Sequence, residues 1–346
     1  MKEIEQKAYQ NQEVLHFKKV ALLFVSSIVV ILLCIFLSIV LGSRQVSIED
    51  VVAGLFGNAQ QSLGAAVVNG RIVRTVFDLV AGAALGVSGA LMQAITRNPI
   101  ADPSVLGVNT GASLFVVIGI AFLGISTAVQ YIWLALLGAG LTAVFVYGIG
   151  SMGRGGATPI KLALAGAATS AALSSLVTAI MLPRGQVMDV FRFWQVGSVG
   201  GATWDSILLI LPFLVAGMLI GIFSAPGLNA LALGDDVATG LGVNTSVLRT
   251  VSATAGVMLC GAITALAGPI GFVGLMAPHV VRLILGPDQR VMIPMSAVVG
   301  ACVLSLSDVI GRMLGRPGEL EVGVVTAFIG APVLVMIAMK SKVRSI

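Results

Sequence analysis

Long charge-free runs recur along this chain, and they leave it few ways to fold. A helix needs about 20 apolar residues to cross the hydrocarbon of a bilayer. Val20 to Ser43 carries no charge, Thr75 to Thr96 carries only Asp78, and Pro103 to Gly153 is charge-free over a length that suits two helices, with a break near Gly124 to Gln130. Leu162 to Pro183 and Ser206 to Ala225 supply a fifth and a sixth span, the latter closed by Pro226. Between Thr250 and Val281 the apolar stretch is too long for one helix, and Gly268-Pro269-Ile270-Gly271 divides it into a seventh span and a short eighth. Val291 to Ser307 and Val322 to Met339 bring the expected count to ten. With 10% charged residues against roughly 25% in soluble domains, and a mean hydropathy of +1.04, the chain has too little charge to cover a water-facing surface. The reading is an all-α, polytopic membrane protein: a polar tail over 1–19, one membrane domain over 20–339 and a short tail over 340–346.

An even count puts both termini on one side. With the N-terminus inside, the outer segments hold Arg44, Arg71, Arg74, Arg184, Arg192, Arg312 and Arg316, leaving thirteen of the 20 Lys and Arg residues inside. The positive-inside rule therefore favours cytoplasmic termini in a cell-membrane protein. These basic residues are scattered between apolar runs, which argues against nucleic acid as a partner. A cleaved signal peptide is not expected either, because the polar segment before Val20 is long for one. Cys34, Cys260 and Cys302 each sit in an apolar run with no pairing or metal-ligand spacing.

Catalytic templates are missing. The chain has no GxxxxGK[ST], HExxH or GxSxG, and its two histidines, His16 and His279, offer no metal site or triad. A GxGxxG string at Gly148, Gly150 and Gly153 ends an apolar helix instead of following a strand, so it is no dinucleotide site. Neither a cofactor nor a metal is implied. Asp78 and Asp308 intrude into spans. Asp78 lies four residues after Arg74 and Asp308 four before Arg312, spacings that place each pair on one helix face within salt-bridge reach. Gly82/Gly86, Gly107/Gly111 and Gly217/Gly221 have the GxxxG spacing of close helix crossings, within or between subunits. Arg74-Thr75-Val76 and Arg249-Thr250-Val251 open glycine-rich spans that run in opposite senses, the pattern of an inverted repeat.

Four connecting stretches look purposeful. Arg97 to Ser104 carries two prolines that force an irregular path. Leu228 to Val247 reads as two short helices split near Gly234, with Asp235 and Asp236 suited to the N-terminus of the second. Gly268, Pro269, Gly271, Phe272, Gly274 and Pro278 mark a broken helix, tolerated only against protein or water, and so are candidates to line a pathway. On the outer side, Arg71, Arg74, Arg312 and Arg316 offer cationic anchors for an acidic partner; the alternative is that they snorkel or pair with Asp78, Asp308, Glu319 or Glu321.

At these residues the chain resembles the FecCD-type permeases, the membrane subunits of ATP-binding-cassette (ABC) importers for iron–siderophore complexes, heme and vitamin B12. The matching strings are Gly82-Ala83-Ala84-Leu85-Gly86-Val87-Ser88-Gly89-Ala90-Leu91-Met92-Gln93, Asn98-Pro99 through Gly107-Val108, Gly268 through Arg282, Gly323-Val324-Val325-Thr326 and Gly330-Ala331-Pro332. They spread from about Arg71 to the C-terminus. The resemblance implies a type II importer architecture of ten spans, with two permease subunits, two cytoplasmic ATPase subunits and an extracytoplasmic binding protein. It assigns ATPase coupling to Leu228, Leu231, Leu233, Gly234, Asp235, Asp236, Gly240, Leu241 and Gly242. It assigns binding-protein docking to Arg71, Arg74 and Arg312. Iron–siderophore import is the expected function, ahead of heme or corrinoid import by the same machinery. An ion-coupled secondary transporter lacks buried relays, and an intramembrane enzyme would have His279 alone to work with.

Overall fold

A computed structural model describes residues 25–57, 62–152 and 158–340. The polar N-terminal tail with His16, the residues after Lys340, and Gly153 of the GxGxxG string lie outside the described residues.

The described chain is helical, and its longest helix organises the rest. That helix, α3 (Leu63–Thr96), has 34 residues, which at 1.5 Å per residue spans about 51 Å. Ser62 caps its first turn by accepting from the Ala65 amide at 2.9 Å. Arg97 ends it in the left-handed conformation (φ 51°), and the Asn98 amide turns back to the Gln93 carbonyl at 3.2 Å. Around α3 stand α1 (Val25–Val40), α4 (Val108–Phe122), α5 (Ala128–Ser151), α6 (Pro159–Met181), α8 (Trp204–Ala232), α10 (Thr245–Ala267), α11 (Val273–Leu285), α12 (Gln289–Leu314) and α13 (Val322–Lys340). Six of these ten are long and apolar enough to cross a membrane; α1, α4, α11 and α13 are shorter apolar helices.

Glycine sets how closely they pack. On α3, Gly82, Gly86 and Gly89 form one stripe, and a Cβ at any of them would collide with backbone of Gly300, Ser296 or Gly274. The first two contacts come from α12 and the third from α11, so this glycine face is consumed inside the subunit. Gly107 and Gly111 meet Thr142 and Gly138 on α5 in the same way, while Gly217 lies against Leu259 of α10 and Gly221 against Val87 and Leu91 of α3.

Two boundaries differ markedly from the charge-based reading. α3 begins at Leu63, not Thr75, because Arg71 and Arg74 are accommodated within the helix by partners that a count of charges ignores. α8 continues through Pro226 to Ala232; both its prolines, Pro212 and Pro226, are exposed, and each removes only one helix hydrogen bond. The first of the two short helices expected after Leu228 is therefore the end of α8. Two further short helices are amphipathic. α2 (Ile48–Phe56) starts with a capping box between Ser47 and Asp50. α7 (Gly185–Gln195) buries Val187 and Phe191, one turn apart.

Candidate functional site

Charged side chains gather at the two ends of the bundle. α3 links them: Arg74 lies near one end and Arg97 at the other, 23 residues or about 34 Å along the helix.

At the first end, Asp308 of α12 is fully buried and held from two sides. Arg74 grips it with Nε at 3.0 and 3.1 Å and Nη2 at 2.6 Å, and gives Nη1 to Glu319 at 2.6 Å. Arg312 forms an ion pair with the same carboxylate at 2.8 Å, one turn along α12. The remaining guanidinium groups close the end of α1, whose last carbonyls lack helical partners. Arg312 donates to the carbonyls of Ser38 and Leu41 and to the Ser38 hydroxyl, at 2.8–3.1 Å. Arg71 donates to Ile39, Val40 and Arg44, and Arg316 to Gly42. Cations at a helix C-terminus also meet the negative end of its dipole.

The arrangement gives Arg71 and Arg312 inward tasks: they are 6% and 1% exposed. Arg74 is mostly covered, whereas Arg44, Arg316 and Glu319 reach the surface. The expected pairing of Asp308 with Arg312 is present. The expected pairing of Asp78 with Arg74 is not, because Arg74 is taken by Asp308 and Glu319. Asp78 is wholly buried, accepts from no N–H or hydroxyl donor among the described residues, and lies against the Asp308 carboxyl, within reach of a shared proton. Glu319 lies in the loop between α12 and α13. Burial alone would raise its carboxyl, but the hydrogen bond and charge of Arg74, with help from Ser43, hold it below the usual carboxylate range.

The opposite end carries α9 (Asp235–Gly240), six residues that start at Gly234, where φ of 122° suits glycine. Leu233, Val237 and Leu241 are 67%, 48% and 64% exposed. Asp235, Asp236, Gly240 and Gly242 are exposed as well. Leu228 and Leu231 are buried in the last turns of α8, so the protruding element runs from Leu233 to Gly242. One carboxylate ties it to the bundle: Asp235 accepts from Arg97 at the end of α3 and, at 3.0 Å to each oxygen, from Arg249 of α10. Asp236 makes no ion pair among the described residues. Sequence reasoning did not single out Arg249 for this task, since no local spacing joins it to Asp235.

The break between α10 and α11 lies at Gly268–Phe272. A Cβ at Gly268 (φ 74°) would strike the Trp194 carbonyl, and the Ser198 amide caps the end of α10 by donating to the Ala267 carbonyl at 2.7 Å. Phe272 is left-handed (φ 68°), a rare state for a bulky residue, and its ring packs where Gly330 of α13 leaves space. Gly271 is exposed and Phe272 and Pro269 partly so, while Gly268, Gly274 and Pro278 are packed inside the protein. Among the described residues, no cluster of three or more His, Cys, Asp or Glu side chains is placed to hold a metal ion.

Apolar helices seamed by glycine, a short exposed helix tied to two of them and a broken helix near the opposite end define a polytopic membrane protein. The chain belongs to the FecCD transport family, whose profile matches residues 30–340. It is 44% identical over 270 residues to the probable siderophore transport system permease protein YfiZ of Bacillus subtilis, covering 78% of this chain and 81% of that one. It is 41% identical over 305 residues to the ferric enterobactin transport system permease protein FepD of Escherichia coli, covering 88% and 91%. A solved structure, described as an inward-facing conformation of a metal-chelate type ABC transporter, superposes with a TM-score of 0.80 at 25% identity over 94% of this chain and 99% of that chain.

Proposed function

We propose that this chain is the membrane permease subunit of an ABC importer that carries ferric siderophores across the cell membrane, paired with a second permease subunit. The observation that carries the reading is family membership over nearly the whole chain, joined to relatives whose names specify siderophore and ferric enterobactin transport. Two cytoplasmic ATPase subunits and an extracytoplasmic binding protein complete the machine.

The end bearing α9 faces the cytoplasm, as do both termini of the single membrane domain. The ATPase dimer engages Leu233 to Gly242. Closing it on ATP displaces α9, and Asp235 passes that displacement to α3 through Arg97 and to α10 through Arg249. Because α12 and α11 are locked to the glycine face of α3, they follow. α3 and α10 run antiparallel and cross where Ser88 donates to the Gly256 carbonyl, which supports an inverted repeat. Docking of the binding protein runs over Arg44, Arg316 and Arg74, with Arg71 and Arg312 holding the surface in shape beneath them. The accessible part of the break, at Gly271 and Phe272, borders the pathway.

The test is uptake of labelled ferric siderophores, heme and cobalamin by cells with and without the chain. ATP-dependent uptake of a ferric siderophore is expected. Uptake of heme or cobalamin alone would move the substrate to another class, and uptake by the chain without an ATPase would end the proposal.

A further inference from the structure

Between the ends of α3 and α8 and the facing parts of α11 and α12 lies a cavity of about 230 Å³. Arg97 and Arg282 both line it, and among the described residues no carboxylate does. Arg97 is neutralised from the rim by Asp235. Arg282 is partly buried and, among the described residues, has no carboxylate partner; the side-chain hydrogen bond it makes there goes to the Gln93 oxygen at 3.0 Å. The nearby Asp288 is occupied by Asn229 and by the Arg290 amide. Gln289, in the first turn of α12, forms another part of the wall. It is 6% exposed, and its Oε1 is buried without a hydrogen-bond partner. A buried acceptor left in this way loses its bond to water without replacement, so the cavity lacks a hydrogen-bond donor as well as an anion. Leu228, Ala232 and Pro99 supply apolar wall, and Leu283 and Ile284 of α11 are 74% and 59% exposed nearby in the chain.

We propose that this cavity binds a phosphodiester that carries a hydroxyl close to its phosphate: the glycerol-phosphate headgroup of an anionic phospholipid. The phosphate sits against Arg282 and the free edge of Arg97. The headgroup hydroxyl donates to Gln289 Oε1, and the acyl chains leave over the apolar wall. Basic pockets between transmembrane helices on the cytoplasmic side suit such headgroups. Soluble glycerol phosphate offers the same chemistry without the chains. The cytoplasmic placement rests on the reading above, but binding in detergent does not depend on sidedness, so siderophore uptake judges that reading separately.

The experiment titrates the full chain, purified with its partner subunits in detergent, with phosphatidylglycerol, phosphatidylcholine and glycerol 3-phosphate. Native mass spectrometry reads occupancy. Phosphatidylglycerol is expected to bind about tenfold more tightly than phosphatidylcholine, as befits charge-assisted hydrogen bonds. Arg282→Gln should remove that preference, whereas Arg290→Gln should keep it. Should Arg282→Gln fail to fold, Ala232→Trp tests the site by filling the mouth while keeping both arginines. Competition by glycerol 3-phosphate at the affinity of the lipid identifies the soluble source and preserves the phosphate site; preference for the lipid identifies the membrane. Equal binding of the two lipids with no glycerol 3-phosphate bound, or unaltered preference in both Arg282→Gln and Ala232→Trp, overturns the proposal.

Discussion

The two charged ends of this bundle use the same side chains for opposite purposes. At the α1 end, Arg71, Arg74 and Arg312 are largely enclosed, and their guanidinium groups meet two carboxylates and a row of helix carbonyls. At the α9 end, Arg97 and Arg249 converge on one half-exposed carboxylate, and the helix it holds has only six residues. Burial separates them. An enclosed network loses much when one member is removed, because the rest cannot turn to water. A solvated bridge is worth at most about 1 kcal/mol and can move without unfolding its surroundings. On the proposed coupling, the first end stays and the second is displaced.

Stability measurements on the purified protein can break this contrast. Arg312→Leu should cause the largest loss, about 3–5 kcal/mol, since it takes one of two cations from the buried Asp308, leaving Arg74 alone on it, and uncaps α1; a change below 1 kcal/mol in thermal unfolding would show that the enclosed network does not carry the end. Asp235→Asn should change stability by less than about 1 kcal/mol, yet abolish siderophore uptake while ATP hydrolysis by the assembled complex continues. Normal uptake would show that force does not pass through this carboxylate. The smallest effect concerns pH. Glu319 is held below its ordinary range when folded, so its contribution is present above the unfolded value near 4.5 and is lost as pH falls through the lower folded value. A shallow loss of stability below about pH 4.5 should therefore flatten in Glu319→Gln.

Much of the architecture was legible because hydropathy acts locally. The ten apolar helices, the break at Gly268 and the start of α9 at Asp235 all follow from runs, glycines and prolines read along the chain. The pairing of Asp308 with Arg312 was legible for the same reason, being one helical turn. What local reading could not supply was the choice among distant partners. Arg74 has an aspartate one turn away at Asp78, but takes Asp308, 234 positions off, because α12 packs against α3 at their glycines. The start of α3 was hidden by the same fact: its arginines looked like the edge of a span and are instead satisfied by α1 and α12. Local reading also ended the span at Pro226, whereas α8 runs through it, so Leu228 and Leu231, expected in the coupling element, are buried in its last turns.

Asp235 acts as a yoke. Two helices that also pack against each other, at Ser88 and Gly256, share its two oxygens, so on the proposed coupling a push on α9 loads both arms together and keeps their motion in phase. On that proposal, losing the one carboxylate releases α9 from both arms at once, so a variant coupled through a single arm is not expected.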